Sequence, residues 1–189
     1  MDRSRRSGLV TLVLIAVLMV GAEPASAAKK LKPCKLVKPP EIEAQFGGPV
    51  AKGSSTDSVT GGDCTWIVGE EFTPPGGAFH ASILSPSPIG GAVDKAAPGA
   101  VNAVQQQMDF EAETFRDADI HDVAGVGQLA WLNGFTRQLN VAVNDKFAFS
   151  VQWSPADTSS FGVTSPEDEA KLVAIAQKVA KRCAKKRCA

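Results

Sequence analysis

Apolar residues recur along this chain at two periods. From Cys64 the pattern alternates, with Cys64, Trp66 and Val68 on one face and Thr65 and Ile67 on the other, the period of two that marks a strand. After Gly76-Gly77, the residues Phe79, Ala81 and Ile83 alternate with His80, Ser82 and Leu84, which predicts a second strand ended by Pro86, Pro88, Gly90 and Gly91. Over residues 99–110 the spacing lengthens: Val101, Val104 and Met108 recur as on a helix.

The strongest β pattern covers residues 129–153. Asn133-Gly134 separates Ala130-Trp131-Leu132 from Phe135 onward, and this dipeptide predicts a two-residue hairpin turn of type I′. Leu139, Val141 and Val143 share one face, as do Phe147, Phe149, Val151 and Trp153. A two-residue connection between these sets would pair Val141 with Ala148 and split them across two faces. A three-residue loop, Asn144-Asp145-Lys146, pairs Val143 with Phe147 and Val141 with Phe149, and is the connection expected.

Two further helices are expected. Pro39-Pro40 precedes Glu41-Ile42-Glu43-Ala44-Gln45-Phe46, and Gly47-Gly48 follows, a short helix with proline and acid at its start and glycine at its stop. From Pro166 to about Ala184, Leu172, Ile175, Ala176, Val179 and Cys183 form an apolar stripe. Ser165 stands as N-cap with Asp168 three residues on, acids lead, and Lys181, Arg182, Lys185, Lys186 and Arg187 trail, the order the helix dipole favours. The Ser-, Thr- and Gly-rich stretch over residues 53–63 reads as a surface loop. The fold class expected is α+β, a mainly antiparallel sheet packed against a long C-terminal helix and shorter helices.

The N-terminus reads as an export signal. Arg3, Arg5 and Arg6 precede an uncharged apolar run over residues 8–20, and Ala25-Ser26-Ala27 supplies a small-residue cleavage site. The run is shorter than the roughly 20 residues that span a bilayer, so residues 1–27 are assigned as a signal peptide and residues 28–189 as one secreted domain. Gly8 stands where a twin-arginine signal carries an aromatic, which favours the general secretory route. Lys32-Pro33 before Cys34, the first cysteine, is unlike a lipid-attachment site. With 44% hydrophobic and 21% charged residues the chain is ordinary globular material. Removing Arg3, Arg5, Arg6, Asp2 and Glu23 from its 20 cations and 20 carboxylates leaves 17 and 18, a balance that does not suggest a nucleic-acid partner.

All four cysteines, Cys34, Cys64, Cys183 and Cys188, follow the signal. An even count in an exported chain reads as two disulfides, with three pairings open. Nearest-neighbour pairing joins Cys34 to Cys64 and Cys183 to Cys188, and the second bond requires the last helix to unwind before Cys188. No C-x-x-C pair exists and His80 and His121 are distant in sequence, so neither a zinc site nor a redox pair is expected.

Several segments invite chemistry without meeting its requirements. No G-x-S-x-G elbow occurs, Ser159 and Ser160 read as loop serines, and His80 as a polar-face strand residue. Asp117, Asp119, His121 and Asp122 suggest calcium, but Asp122 and Gln128 occupy the positions where an EF-hand needs glycine and glutamate. Glu41 and Glu43 serve a helix start. Lys52 precedes Gly53 where a phosphate loop needs lysine after glycine. Gly125-Val126-Gly127 lacks the third glycine of a dinucleotide site and reads as a tight turn.

The arrangement resembles the actinobacterial exported proteins and lipoproteins grouped as domain of unknown function 3558. The matching pieces are Pro33-Cys34-Lys35-Leu36-Val37 leading to a short helix ended by Gly47, Asp63-Cys64-Thr65-Trp66, and residues 123–130 with the closing hairpin and helix. The resemblance implies a secreted α+β domain with a Cys34–Cys64 bridge and no established activity.

No catalytic residue, cofactor or metal ligand is therefore assigned. Charge is segregated: five lysines lie in residues 29–38 and seven cations in residues 171–187, against five in residues 39–165. Side by side, the two ends would form a positive face for an anionic envelope polymer or acidic headgroups. The expectation is a non-catalytic secreted envelope-binding or interaction domain, without a membrane span after signal cleavage. The alternatives are a secreted hydrolase and a partner of another secreted protein, for which an exposed apolar patch is the cue.

Overall fold

Alternation of apolar and polar residues gives every long strand one face that must be covered, and helices cover both sides of the resulting sheet. The computed structural model describes residues 32–58, 61–69, 76–84, 99–157, 164–186 and 188. The expected export signal, Lys29, Lys30, Pro86, Pro88, Gly90, Gly91, Ser159, Ser160 and Arg187 lie outside them.

The strands are β1 (Ser54–Ser58), β2 (Gly61–Val68), β3 (Gly77–Leu84), β4 (Ile120–Asp122), β5 (Leu129–Asn133), β6 (Gln138–Asn144) and β7 (Phe147–Pro155). They form a seven-stranded sheet in the order β1-β2-β3-β7-β6-β5-β4, with every neighbouring pair antiparallel. The helices are α1 (Pro39–Phe46), α2 (Ala100–Thr114) and α3 (Pro166–Lys186). The fold is α+β, as expected.

One sheet face holds the main core. Cys64, Trp66, Phe79, Val141, Phe149 and Trp153 pack with Leu36, Val37 and Ile42 from the N-terminal segment and with Leu172, Ile175 and Val179 from α3. The predicted α3 stripe is buried from Leu172 to Cys183. Ser165 caps the helix, its Oγ accepting from the Asp168 N–H at 3.1 Å. On the opposite face α2 buries Ala100 and Val104 against Trp131, Ala142 and Ala148, and the Trp131 indole donates to the Val104 carbonyl at 3.1 Å. Cys34 is bonded to Cys64 and Cys183 to Cys188. Cys188 lies beyond the last turn of α3, which ends at Lys186.

Four local expectations change. Residues 54–58 form the edge strand β1 and residues 61–63 the start of β2, rather than a loop; the Ser and Thr side chains of β1 give no alternation to read, and among the described residues its backbone pairs with β2 alone. Residues 120–122, read as part of an acidic edge, form β4.

The third change is at Asn133-Gly134, which is not a type I′ turn. Asn133 pairs with Gln138, four residues turn between them, and the positive φ falls on Arg137 at 55°. Asn133 works through its side chain: Oδ1 accepts from the N–H groups of Phe135 and Thr136 at 3.0 and 3.1 Å. Gly134 is required for close approach, since a β-carbon there would lie 2.9 Å from the Asp119 carbonyl oxygen.

The fourth is the β6–β7 connection, which reaches the expected facing by another route. Val141 pairs with Phe149, but Asn144 rather than Val143 pairs with Phe147. The turn is two residues long and Val143 is the extra residue of a bulge, which shifts the side-chain phase by one and keeps Val143 with Phe147 in the main core. The expected tight turn at Gly125-Val126-Gly127 is present, with both glycines at positive φ and Val126 buried.

Candidate functional site

The N-terminal segment is fastened to the sheet before it meets α3. Cys34 sits in a 3-10 turn, Pro33–Lys35, bonded to Cys64 of β2, and Leu36, Val37 and Ile42 are buried behind it. Phe46, at the end of α1, stacks on Trp153 with ring centroids 4.2 Å apart, and the Lys171 ammonium lies 5.6 Å from its ring centre. These anchors bring α1 alongside α3.

Arg182 closes that contact. Its guanidinium forks onto the Glu41 carboxylate, Nη1 to Oε1 and Nη2 to Oε2, and Nη2 also donates to the Leu36 carbonyl at 2.6 Å. Glu41 additionally accepts from the Lys38 N–H at 3.1 Å, so one carboxylate holds a helix start and a helix end. The two lysine-bearing segments are thus brought together. Lys32, Lys35 and Lys38 on one, and Lys178, Lys181 and Lys185 on the other, are all exposed. The last three are spaced by three and four positions and share the outer face of α3.

Not every cation of the sequence run joins this face. Lys171 pairs instead with Glu167 at 2.8 Å in the acidic first turn of α3, and Arg182 is neutralised by Glu41. The charge on α3 is therefore polarised, with Glu167, Asp168 and Glu169 in the first turn and the exposed lysines in the second half.

The two histidines occupy different settings. His80 of β3 lies opposite Thr65 of β2, and Nδ1 is 3.0 Å from the Thr65 hydroxyl oxygen. Burial pulls its pKa below the ordinary value, and the charge of Asp63 opposes this without reversing it. His121 of β4 is bracketed by two carboxylates, Nδ1 lying 3.0 Å from Asp119 and Nε2 3.2 Å from Glu169 of α3. Carboxylates only accept, so both ring nitrogens donate together when the ring is an imidazolium. Burial alone would lower the His121 pKa, but the bonds and charges of Glu169 and Asp119 leave it raised.

Among the described residues no group of three or more His, Cys, Asp and Glu side chains is arranged to hold a metal ion. The acids read as a candidate calcium edge disperse: Asp119 turns to His121, while Asp117 and Asp122 are exposed. Also among the described residues, no helix is long and apolar enough to cross a membrane.

Sequence reasoning passed over Phe110, Phe115 and Phe135. These are the exposed large hydrophobics of the described residues, and the rings of Phe115 and Phe135 stack with centroids 6.0 Å apart. The available signal was an aromatic directly after an acidic helix and another inside a turn. Comparison with known proteins finds no match to any family model, curated protein or solved structure.

Proposed function

We propose that the protein is a secreted, non-catalytic domain, of the kind grouped as domain of unknown function 3558, that holds anionic envelope polymers or acidic headgroups on its lysine face. The observation that carries this reading is the Arg182 fork, which joins the N-terminal and C-terminal basic segments through Glu41 and Leu36. Exposed lysines on a rigid backbone attract anions over about 10 Å at 0.1 M salt, without chemical selectivity, as suits a polymer of repeated charges.

The test is co-sedimentation with an anionic cell-wall fraction across a salt series. Binding should be strong at low salt, fall as ionic strength rises, and be lost when Lys178, Lys181 and Lys185 are changed to Glu. Binding that ignores salt, or survives the triple change, removes the reading.

The competing reading, a secreted hydrolase, is supported by one contact, that of the Thr65 hydroxyl with His80. Lowering of the imidazole pKa by burial favours the neutral ring that a general base needs. Turnover of activated esters that disappears in both Thr65→Ala and His80→Gln would establish it in place of the binding function.

A further inference from the structure

The end of the molecule away from the exposed lysines of α3 combines aromatic exposure with negative charge. Phe110, Phe115 and Phe135 are 66%, 39% and 50% exposed. Phe110 lies in the penultimate turn of α2 and Phe115 directly follows the helix, while Phe135 comes from the β5–β6 turn. Residues 109–119 hold five carboxylates, Asp109, Glu111, Glu113, Asp117 and Asp119, against one cation, Arg116. Water solvates carboxylates readily and phenyl rings poorly, so a surface built of both has an unspent apolar contribution.

The turn that displays Phe135 is held from several directions. The Asn133 amide donates to Glu111 of α2 at 2.6 Å while its oxygen accepts from Phe135 and Thr136. The Gly134 N–H donates to the Asp119 carbonyl at 2.7 Å, and its own carbonyl accepts from the Thr164 hydroxyl at 2.9 Å. Arg137 completes the turn in a left-handed conformation, φ 55°, that residues other than glycine seldom adopt. Phe135 is thereby fixed against Phe115, with rings 18° from parallel, so little freedom remains to be lost when a partner covers them.

We propose that this end is a docking surface for a cationic segment of another secreted protein, one whose apolar side chain covers the Phe115–Phe135 pair while its lysines or arginines meet the surrounding carboxylates. The five carboxylates choose the sign of the partner: they repel an anionic membrane or polymer and attract a basic chain. The aromatic pair supplies the short-range anchor that charge alone does not. The inference is independent of the lysine face and places a second binding function at the other end of α3.

The probe is a fluorescent synthetic peptide of lysines interrupted by phenylalanines, titrated into the purified protein beside a polylysine of equal charge. The mixed peptide should bind more weakly as salt rises and roughly tenfold or more weakly to Phe115→Ser/Phe135→Ser; polylysine should bind weakly to both proteins. A melting curve shows whether the double variant is folded. Should it not fold, Glu113→Lys/Asp117→Lys, on exposed positions, must weaken the mixed peptide by a similar factor. Equal affinity for the two peptides, or unchanged affinity in the folded variants, overturns the proposal. Concentration-dependent self-association that the same variants abolish also overturns it, by making a second copy the occupant.

Discussion

Arg182 and Glu41 are 141 positions apart in sequence, yet guanidinium and carboxylate meet in a forked pair that also takes in the Leu36 carbonyl. Their side chains are 26% and 15% exposed, enough burial for the pair to exceed an ordinary surface salt bridge. Arg182→Ala should lower stability by about 1.5–3 kcal/mol, the scale of hydrogen bonds to charged groups, read as a shift in urea midpoint. Arg182→Lys keeps the charge and loses the fork. If Lys restores full stability, the planar geometry is irrelevant and only the charge counts.

The two disulfides constrain very different lengths of chain. Cys34–Cys64 spans a sequence separation of 30 and Cys183–Cys188 one of 5. In the chain-entropy picture these contribute roughly 3.5–4 and roughly 2 kcal/mol. Replacing the first pair by alanine should therefore cost more than replacing the second, and should also loosen the anchor of the N-terminal lysines. Cys64 is fully buried, so lost packing adds to the cost of the first replacement; equal losses in denaturant melts would show that the short bridge secures more than a helix end.

The histidines should shape the pH dependence of stability with opposite signs. His121 has a folded pKa raised above 6.5, so the folded protein binds the extra proton more tightly. Its contribution is complete below about pH 6.5 and is lost as pH rises through the folded value. His80 has a folded pKa below 6.5, so its contribution is present above that pH and lost as pH falls through the folded value. Melting temperatures taken across this range should decline less on the alkaline side in His121→Gln, and less on the acid side in His80→Gln. A His121→Gln profile parallel to that of the parent would mean that the Asp119 and Glu169 contacts are not retained in solution.

Much of the fold was legible because burial writes a period into the sequence. The β2 and β3 faces and the α3 stripe were readable from Cys64 to Val68, Phe79 to Ile83 and Leu172 to Cys183, since each element has one wet side. β1 was not, because Ser54, Ser55 and Thr56 are all exposed and carry no alternation. β4 is too short for a period to emerge. The hairpin at Asn133-Gly134 was legible as a reversal, but not its geometry: nothing in composition marks Arg137 as the residue with positive φ. The candidate site divides the same way. Two lysine-rich runs are visible in one dimension, whereas their meeting depends on the long-range Arg182–Glu41 contact, and the Phe115–Phe135 pair exists only because α2 and the β5–β6 turn end side by side.

The bulge at Val143 gives the sharpest test of how core phase overrides turn length. Deleting Val143 and deleting Asn144 each shorten the chain by one residue and each allow an unbulged ladder with Val141 still opposite Phe149. They differ in what then faces Phe147 on the core side: an amide after the first deletion, an isopropyl group after the second. Val143 is 6% exposed and Phe147 4%, so the difference is that of placing a polar group in a nearly dry position, about 1–3 kcal/mol. Deleting Asn144 also removes its bond to the Lys146 N–H, 2.9 Å long, and puts strain on Asp145, whose carbonyl accepts from the first N–H of α2 at 2.8 Å. If the core governs, the protein lacking Val143 is the less stable of the two in denaturant melts. The reverse order would assign the extra residue to the turn and to the start of α2, with the phase of the core following from them.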